Sequence, residues 1–250
     1  HHGGVVEELN RSSATYVAYC MKAGGSGSSN SDGDITSTVS VASHNGFSIV
    51  KYDPGSGGSA GDTVGHGMGQ APNVIISKPL EAVGDTNYQY GTDDIGWTKS
   101  LFLNTTGAPA TAANYWNNTA PTSTVFSLGS DRDNNTAYIA YCFAKTPGLI
   151  GLGSYVGNGA ADGAMVVVDD GGSGFRPAWV MIKRLEAGYA WHIQDAVRSP
   201  HNPTALGLNA NDTGTDSATT GFDFIANGFK LRAGSDGGYN GSGASYIYLA

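Results

Sequence analysis

The chain can be laid on itself, and that constrains its fold more than any other feature. Ala71–Lys78 (APNVIISK) matches Arg176–Lys183 (RPAWVMIK), with Pro72 over Pro177 and Lys78 over Lys183, an offset of 105 residues (177 − 72). Leu101-Phe102-Leu103-Asn104 falls on Leu206-Gly207-Leu208-Asn209 at the same offset. Phe126 and Leu128 fall on Phe229 and Leu231 at 103 (229 − 126), and Tyr138-Ile139 on Tyr246-Ile247 at 108 (246 − 138). Ordered matches at nearly constant spacing mark a tandem repeat of about a hundred residues. The closing motif, AYIAYC and SYIYLA in the two copies, occurs a third time as TYVAYC ending at Cys20.

These matches give the expected organisation. Residues 1–20 end with the last strand of a preceding copy, and 21–45 form a Gly/Ser-rich linker and lead-in. Residues 46–147 form a first full copy and 148–250 a second, in a natural polypeptide expected to continue beyond both ends. Gly contributes 38 of 250 residues and charged residues only 14%, a composition that suits short strands and tight turns rather than helices. Strands are expected at Phe47–Tyr52, Asn73–Ser77, Ser100–Leu103, Thr124–Leu128 and Ala137–Phe143 in the first copy. The second copy offers Gly153–Val156, Ala164–Val168, Ala178–Ile182, Tyr189–Gln194, Leu206–Leu208, Phe222–Ile225, Phe229–Leu231 and Ser245–Leu249. The fold class is therefore all-β, with tandem antiparallel β-sandwich repeats of jelly-roll or lectin-like form, each sheet burying one face and wetting the other.

Net charge is −8 and no stretch clusters Lys or Arg, which argues against a nucleic-acid partner. No apolar run approaches the roughly 20 residues that span a bilayer, so membrane insertion is not expected. Cys20 and Cys142 end equivalent Tyr-rich runs. Equivalent positions in successive copies lie far apart, so both are read as buried free thiols rather than a disulfide.

No constellation nominates a catalytic centre. His66 sits among glycines but lacks a nucleophile elbow, and reads as a turn residue. His192, Asp195 and Ser199 are neighbours in sequence, whereas triad members converge from separate elements. Asp93-Asp94 and Asp169-Asp170 are adjacent pairs suited to turns, because on a strand they would face opposite ways. Asp131, Asp133 and Asn135 alternate as the start of a calcium loop does. Thr136 stands where that loop needs glycine and Cys142 where it needs a bidentate Glu, so a polar hairpin tip is favoured over a Ca²⁺ site, and no cofactor is expected. Trp97 and Trp116 flank turns and are the candidates for an exposed glycan- or partner-binding platform; Trp179 lies in the matched strand and reads as core.

Several motifs carry a resemblance in addition: GFSIVKY, TVGHGMGQAPNVIISK, LFLNTTGA, YWNNTAPTSTVFSLGS, YIAYCFA, GLGSYVGNGAADG, GFRPAWVMIKR, FIANGFKLR and SYIYLA. In order, they resemble the repeat domains of large structural proteins, tail-fibre-like or lectin-like, of tailed marine and cyanobacterial bacteriophages. The resemblance implies a non-enzymatic module on the virion surface, part of a tail fibre or similar appendage. It implies other virion proteins as partners, a homo-oligomer, and contact with host-surface glycan. A capsid decoration protein and a carbohydrate-binding domain are the alternatives.

Overall fold

The computed structural model describes residues 12–13, 15–55, 58–81, 87–111, 113–131, 136–186, 188–218, 221–232 and 237–250. The first half contains β1 (Ser28–Asn30), β2 (Ser37–Val41), β3 (Phe47–Tyr52), β4 (Thr63–Gly65), β5 (Val74–Pro79), β6 (Gln89–Thr92), β7 (Lys99–Phe102), β8 (Ala110–Thr111), one turn of helix α1 (Ala113–Trp116), β9 (Val125–Ser127) and β10 (Tyr138–Phe143). The second contains β11 (Leu152–Val156), β12 (Met165–Val167), β13 (Trp179–Arg184), β14 (Trp191–Asp195), β15 (Leu206–Asn209), β16 (Ser217–Ala218), β17 (Phe222–Ile225), β18 (Gly228–Leu231) and β19 (Ser245–Leu249). The protein is all-β, and every ladder pair is antiparallel.

An eight-stranded sheet runs β1-β2-β3-β10-β5-β6-β7-β8 and a six-stranded sheet β11-β19-β13-β14-β15-β16. From β3 and from β11 onward the two follow one order, the closing strand β10 lying between β3 and β5 and the closing strand β19 between β11 and β13. Smaller sheets, β4-β9 and β12-β18-β17, accompany them.

The closing strands explain how the layers stack. Along β10, Tyr138, Ala140 and Cys142 enter a core with Val64 and Phe126 of the β4-β9 sheet, whereas Tyr141 and Phe143 point the other way. Along β19, Tyr246 and Tyr248 enter a core with Val166 and Phe229, whereas Ile247 and Leu249 point the other way. The two "other ways" meet. Phe47, Val74, Ile76, Tyr90 and Leu101 of the large sheet pack against Leu152, Met181, Trp191, Ile193 and Ile247 of the six-stranded one. The order of layers is therefore small sheet, large sheet, large sheet, small sheet. The central strands of each large sheet are buried on both faces, unlike the expected sheet with one wet face. A period-2 pattern shows that a strand has two faces but not that its second face meets another half of the chain.

Two further expectations change. The Gly/Ser-rich stretch 21–45 is not a free linker: β1 and β2 extend the large sheet past β3, with Val39 opposite Val50. The Tyr16–Cys20 run has the sequence of a closing strand, yet it lies outside every sheet and residues 15–22 are exposed.

Hydrogen bonds also tie the halves together. Trp191 Nε1 donates to the Phe102 carbonyl at 3.0 Å, and the Gly188 N–H to that of Thr106 at 2.9 Å. The Tyr90 and Trp191 rings lie 4.7 Å apart. Because one apolar layer serves both sheets, denaturant should unfold Trp97 and Trp116 of the first half and Trp191 of the second at a single midpoint. Ile247→Ala should lower that stability by about 2–5 kcal/mol. Tryptophan fluorescence of single-Trp variants checks both; two separated midpoints would mean the halves unfold independently.

Candidate functional site

The large sheet is wider than its neighbour, because β1 and β2 have no counterparts before β11. Where the six-stranded sheet stops, the face of β2 and β3 diverges from the ends of β13 and β19 and leaves a groove of about 1380 Å³. Ala42, Phe47 and Ile49 form one wall, and Ile150, Trp179 and Leu249 the other. Lys22, His44 and Arg176 add exposed cationic or titratable groups around this apolar floor.

The segment Ala18–Gly25 crosses the groove as a strap. Tyr19 holds it: its hydroxyl donates to Asp195 Oδ2 at 3.0 Å and accepts from Arg198 Nη2 at 3.1 Å. The Tyr19 ring meets that of Trp179 edge-on at 5.8 Å. Asp195 is buried, bonded to Arg198 Nε at 2.6 Å and to the backbone N–H groups of Val197 and Arg198, and Arg198 reaches on to Asp216. Burial pushes the Asp195 carboxyl up, but these bonds outweigh it and hold the group below the usual carboxylate range. Burial and the neighbouring Asp195 push the Tyr19 hydroxyl up to about 12. Trp179 is half-buried, and its indole N–H is enclosed with no hydrogen-bond acceptor among the described residues.

Trp97 and Trp116 are not the exposed platform the sequence pointed to. They are 6% and 1% exposed and pack edge to face at 5.5 Å. The Trp97 indole donates to Asp93 Oδ1 at 2.6 Å. Gly91 makes room for both rings: a Cβ there would lie 2.6 Å from Trp97 and 2.7 Å from Trp116. Turn-flanking position signalled exposure, but α1 and the β6–β7 hairpin fold their tryptophans inward. The aromatic at the groove is instead Trp179, which the sequence placed in the core. The usable signal was Tyr16–Cys20, a closing-strand motif that joins no sheet among the described residues.

The other candidates are engaged locally. Asp131 accepts from the Asn114 side chain at 3.0 Å, while Asp133 and Asn135 fall outside the described residues. No group of three or more His, Cys, Asp or Glu gathers among the described residues. Ser199 Oγ accepts the backbone N–H groups of Ala205 and Leu206, and the His192 ring packs on Tyr239, so with Asp195 held by Arg198 the three form no triad. Asp170 accepts from the N–H groups of Gly148, Gly172 and Gly174 in a turn; Asp169 pairs with Lys145 at 2.6 Å. Both thiols are free, but Cys20 is exposed, contrary to expectation; Cys142 is buried, and burial pushes its thiol up.

His66 is fully buried. Its Nδ1 accepts from the Met68 N–H at 3.3 Å and its Nε2 lies 3.1 Å from the Thr122 carbonyl, which fixes the neutral, Nε2-protonated tautomer. Burial lowers its pKa below 6.5 in spite of the Thr122 bond. The unfolded chain then binds a proton that the folded one refuses. His66's contribution is complete above pH 6.5 and is lost as the pH falls from there through the folded pKa. Denaturation curves across that window should show the loss, and His66→Gln should flatten it.

A family model described as DUF7483, a domain of unknown function, matches residues 2–250. No curated protein matches the chain. No solved structure matches it either.

Proposed function

We propose that this chain, which belongs to the DUF7483 family, is a structural, non-enzymatic module of a phage appendage, a tail fibre or similar, exposed on the virion surface and meeting the host. The supporting observation is the shared strand order of the two large sheets, which favours two copies of one sandwich unit fused through a common apolar layer. Such a unit extends by duplication while its loops vary without disturbing the core. The ordered motifs resembling phage structural repeats support the same reading. Localising the chain in cryo-electron maps of an intact particle tests it. Density in projecting rods is the expected result, and density lying flat on the capsid lattice would make it a decoration protein instead.

The groove favours a second reading, carbohydrate binding, because it sets a half-exposed indole beside cationic and hydroxyl side chains. A sugar face would stack on Trp179, with Arg176 and Ser43 able to reach its hydroxyls. Calorimetry with host-surface oligosaccharides checks this. Trp179→Ala should weaken binding about tenfold, roughly 1.4 kcal/mol, and equal affinity in the variant removes the groove from consideration.

A further inference from the structure

The two halves differ in what covers one side. In the first half, residues 30–41 form an arm that runs over β4 and then along β3. Asp34 Oδ2 accepts from the Thr63 N–H at 3.0 Å and the Thr63 hydroxyl at 2.8 Å, and the Ile35 N–H donates to the Thr63 carbonyl at 3.0 Å. Ser37 Oγ donates to the Gly65 carbonyl at 2.7 Å, and β2 then pairs with β3 from Tyr52 to Ser48. The arm lies so close that a Cβ on Gly65 would clash with the Asn30 side chain.

The second half has no such arm among the described residues, because only a short connection joins β10 to β11. Ladder register equates Val64 with Val166, each opposite a phenylalanine, Phe126 and Phe229. Thr63 and Gly65, the positions under the arm, therefore correspond to Met165 and Val167. These are 56% and 49% exposed, and Val156 on β11 is 59% exposed. β11 is an edge strand whose one partner is β19. Gly151 and Ala250 exchange backbone bonds at 3.0 and 2.8 Å, so alternation turns the N–H and C=O of Ser154 and Val156 away from β19. The N–H of Leu152 is taken by the Asp169 carbonyl. Apolar side chains, and backbone groups with no hydrogen-bond partner among the described residues, thus occupy the place where the first half carries a strand, the arrangement that accepts an added one.

We propose that this side of the second half docks the Thr15–Lys22 segment of a second copy of the chain by strand addition to β11, giving a head-to-tail assembly. The donor is recognisable on its own terms. TYVAYC carries the sequence of the closing strands, one of which already pairs with β11 along its other edge, but it joins no sheet among the described residues. Val17 and Met21 are 45% and 48% exposed, and the Tyr19 latch anchors the segment without burying it. Donor and acceptor are different surfaces, so the contact does not close on itself as a two-fold dimer and propagates into a ring or filament. The inference concerns the isolated chain and stands or falls independently of where on a particle the protein sits.

Sedimentation velocity over a concentration series of the full chain tests it. The wild type should associate progressively. Val17→Lys on the donor and Val156→Lys on the acceptor, both at exposed positions, should each lower the association constant about tenfold or more with unchanged thermal unfolding. Should Val156→Lys unfold, the milder Val156→Ser removes the same apolar side chain. A mixture of the donor and acceptor variants retains one intact donor and one intact acceptor, and should stop at a one-to-one dimer. A wild type that stays monomeric throughout, association indifferent to either substitution, or a mixture that fails to pair overturns the proposal.

Discussion

Everything in this molecule hangs on the apolar layer between the two large sheets. A sheet covered on one face by a two- or three-stranded partner would leave Phe47, Val74, Ile76 and Tyr90, or Met181, Trp191 and Ile193, facing water. That is a larger exposed patch than a monomer ordinarily tolerates. Each half relieves the other. The same layer removes the freedom of the connection between halves, since residues 145–151 must return the chain within reach of a sheet already in place. Lys145–Asp169 and the Asp170 turn that accepts from Gly148 hold that passage.

Unequal sheet width then creates the groove. The arm that adds β1 and β2 widens the first sheet by two strands with no counterpart opposite, so the shared layer opens at one end. Its surplus apolar surface is met in part by Ala23, packed against the layer, and by the strap that Tyr19 fastens to Asp195 and Arg198. A buried carboxylate needs its partners, and here they come from the strap and from its own turn, so fastening the strap also satisfies Asp195. Groove and latch are two results of one asymmetry.

The correspondence between the two large sheets was legible because several of the matched residues are ones that pair. Lys78/Lys183 and Tyr138/Tyr246 sit on strands β5/β13 and β10/β19, whose registers correspond, and Pro72/Pro177 lie two residues before β5 and β13. The strands of the second half, β16 (Ser217–Ala218) excepted, were readable from apolar runs. β1, β2 and β6 were not, because SSN, STVSV and QYGT are poor in apolar residues and are held by their neighbours' ladders rather than by their own pattern. Burial of Trp97 and Trp116 was hidden for a different reason. It depends on Gly91, remote from Trp116 in sequence, lacking a side chain where both rings lie. Trp179 was misplaced in the opposite direction, since its strand does enter the core but its own position lies at the groove, where the two large sheets part.

The pair Gly65 and Val167 records the same asymmetry in single residues. A glycine is needed where Asn30 crosses, and a valine there would force the arm off β4. At the equivalent position under no arm, glycine has no steric advantage, and solvent alone would favour a polar residue. The chain instead keeps valine, with Met165 two residues before it on the same face. Apolar residues left exposed where the two halves differ in cover are hard to reconcile with a surface built only to face water, because among the described residues no arm lies over them.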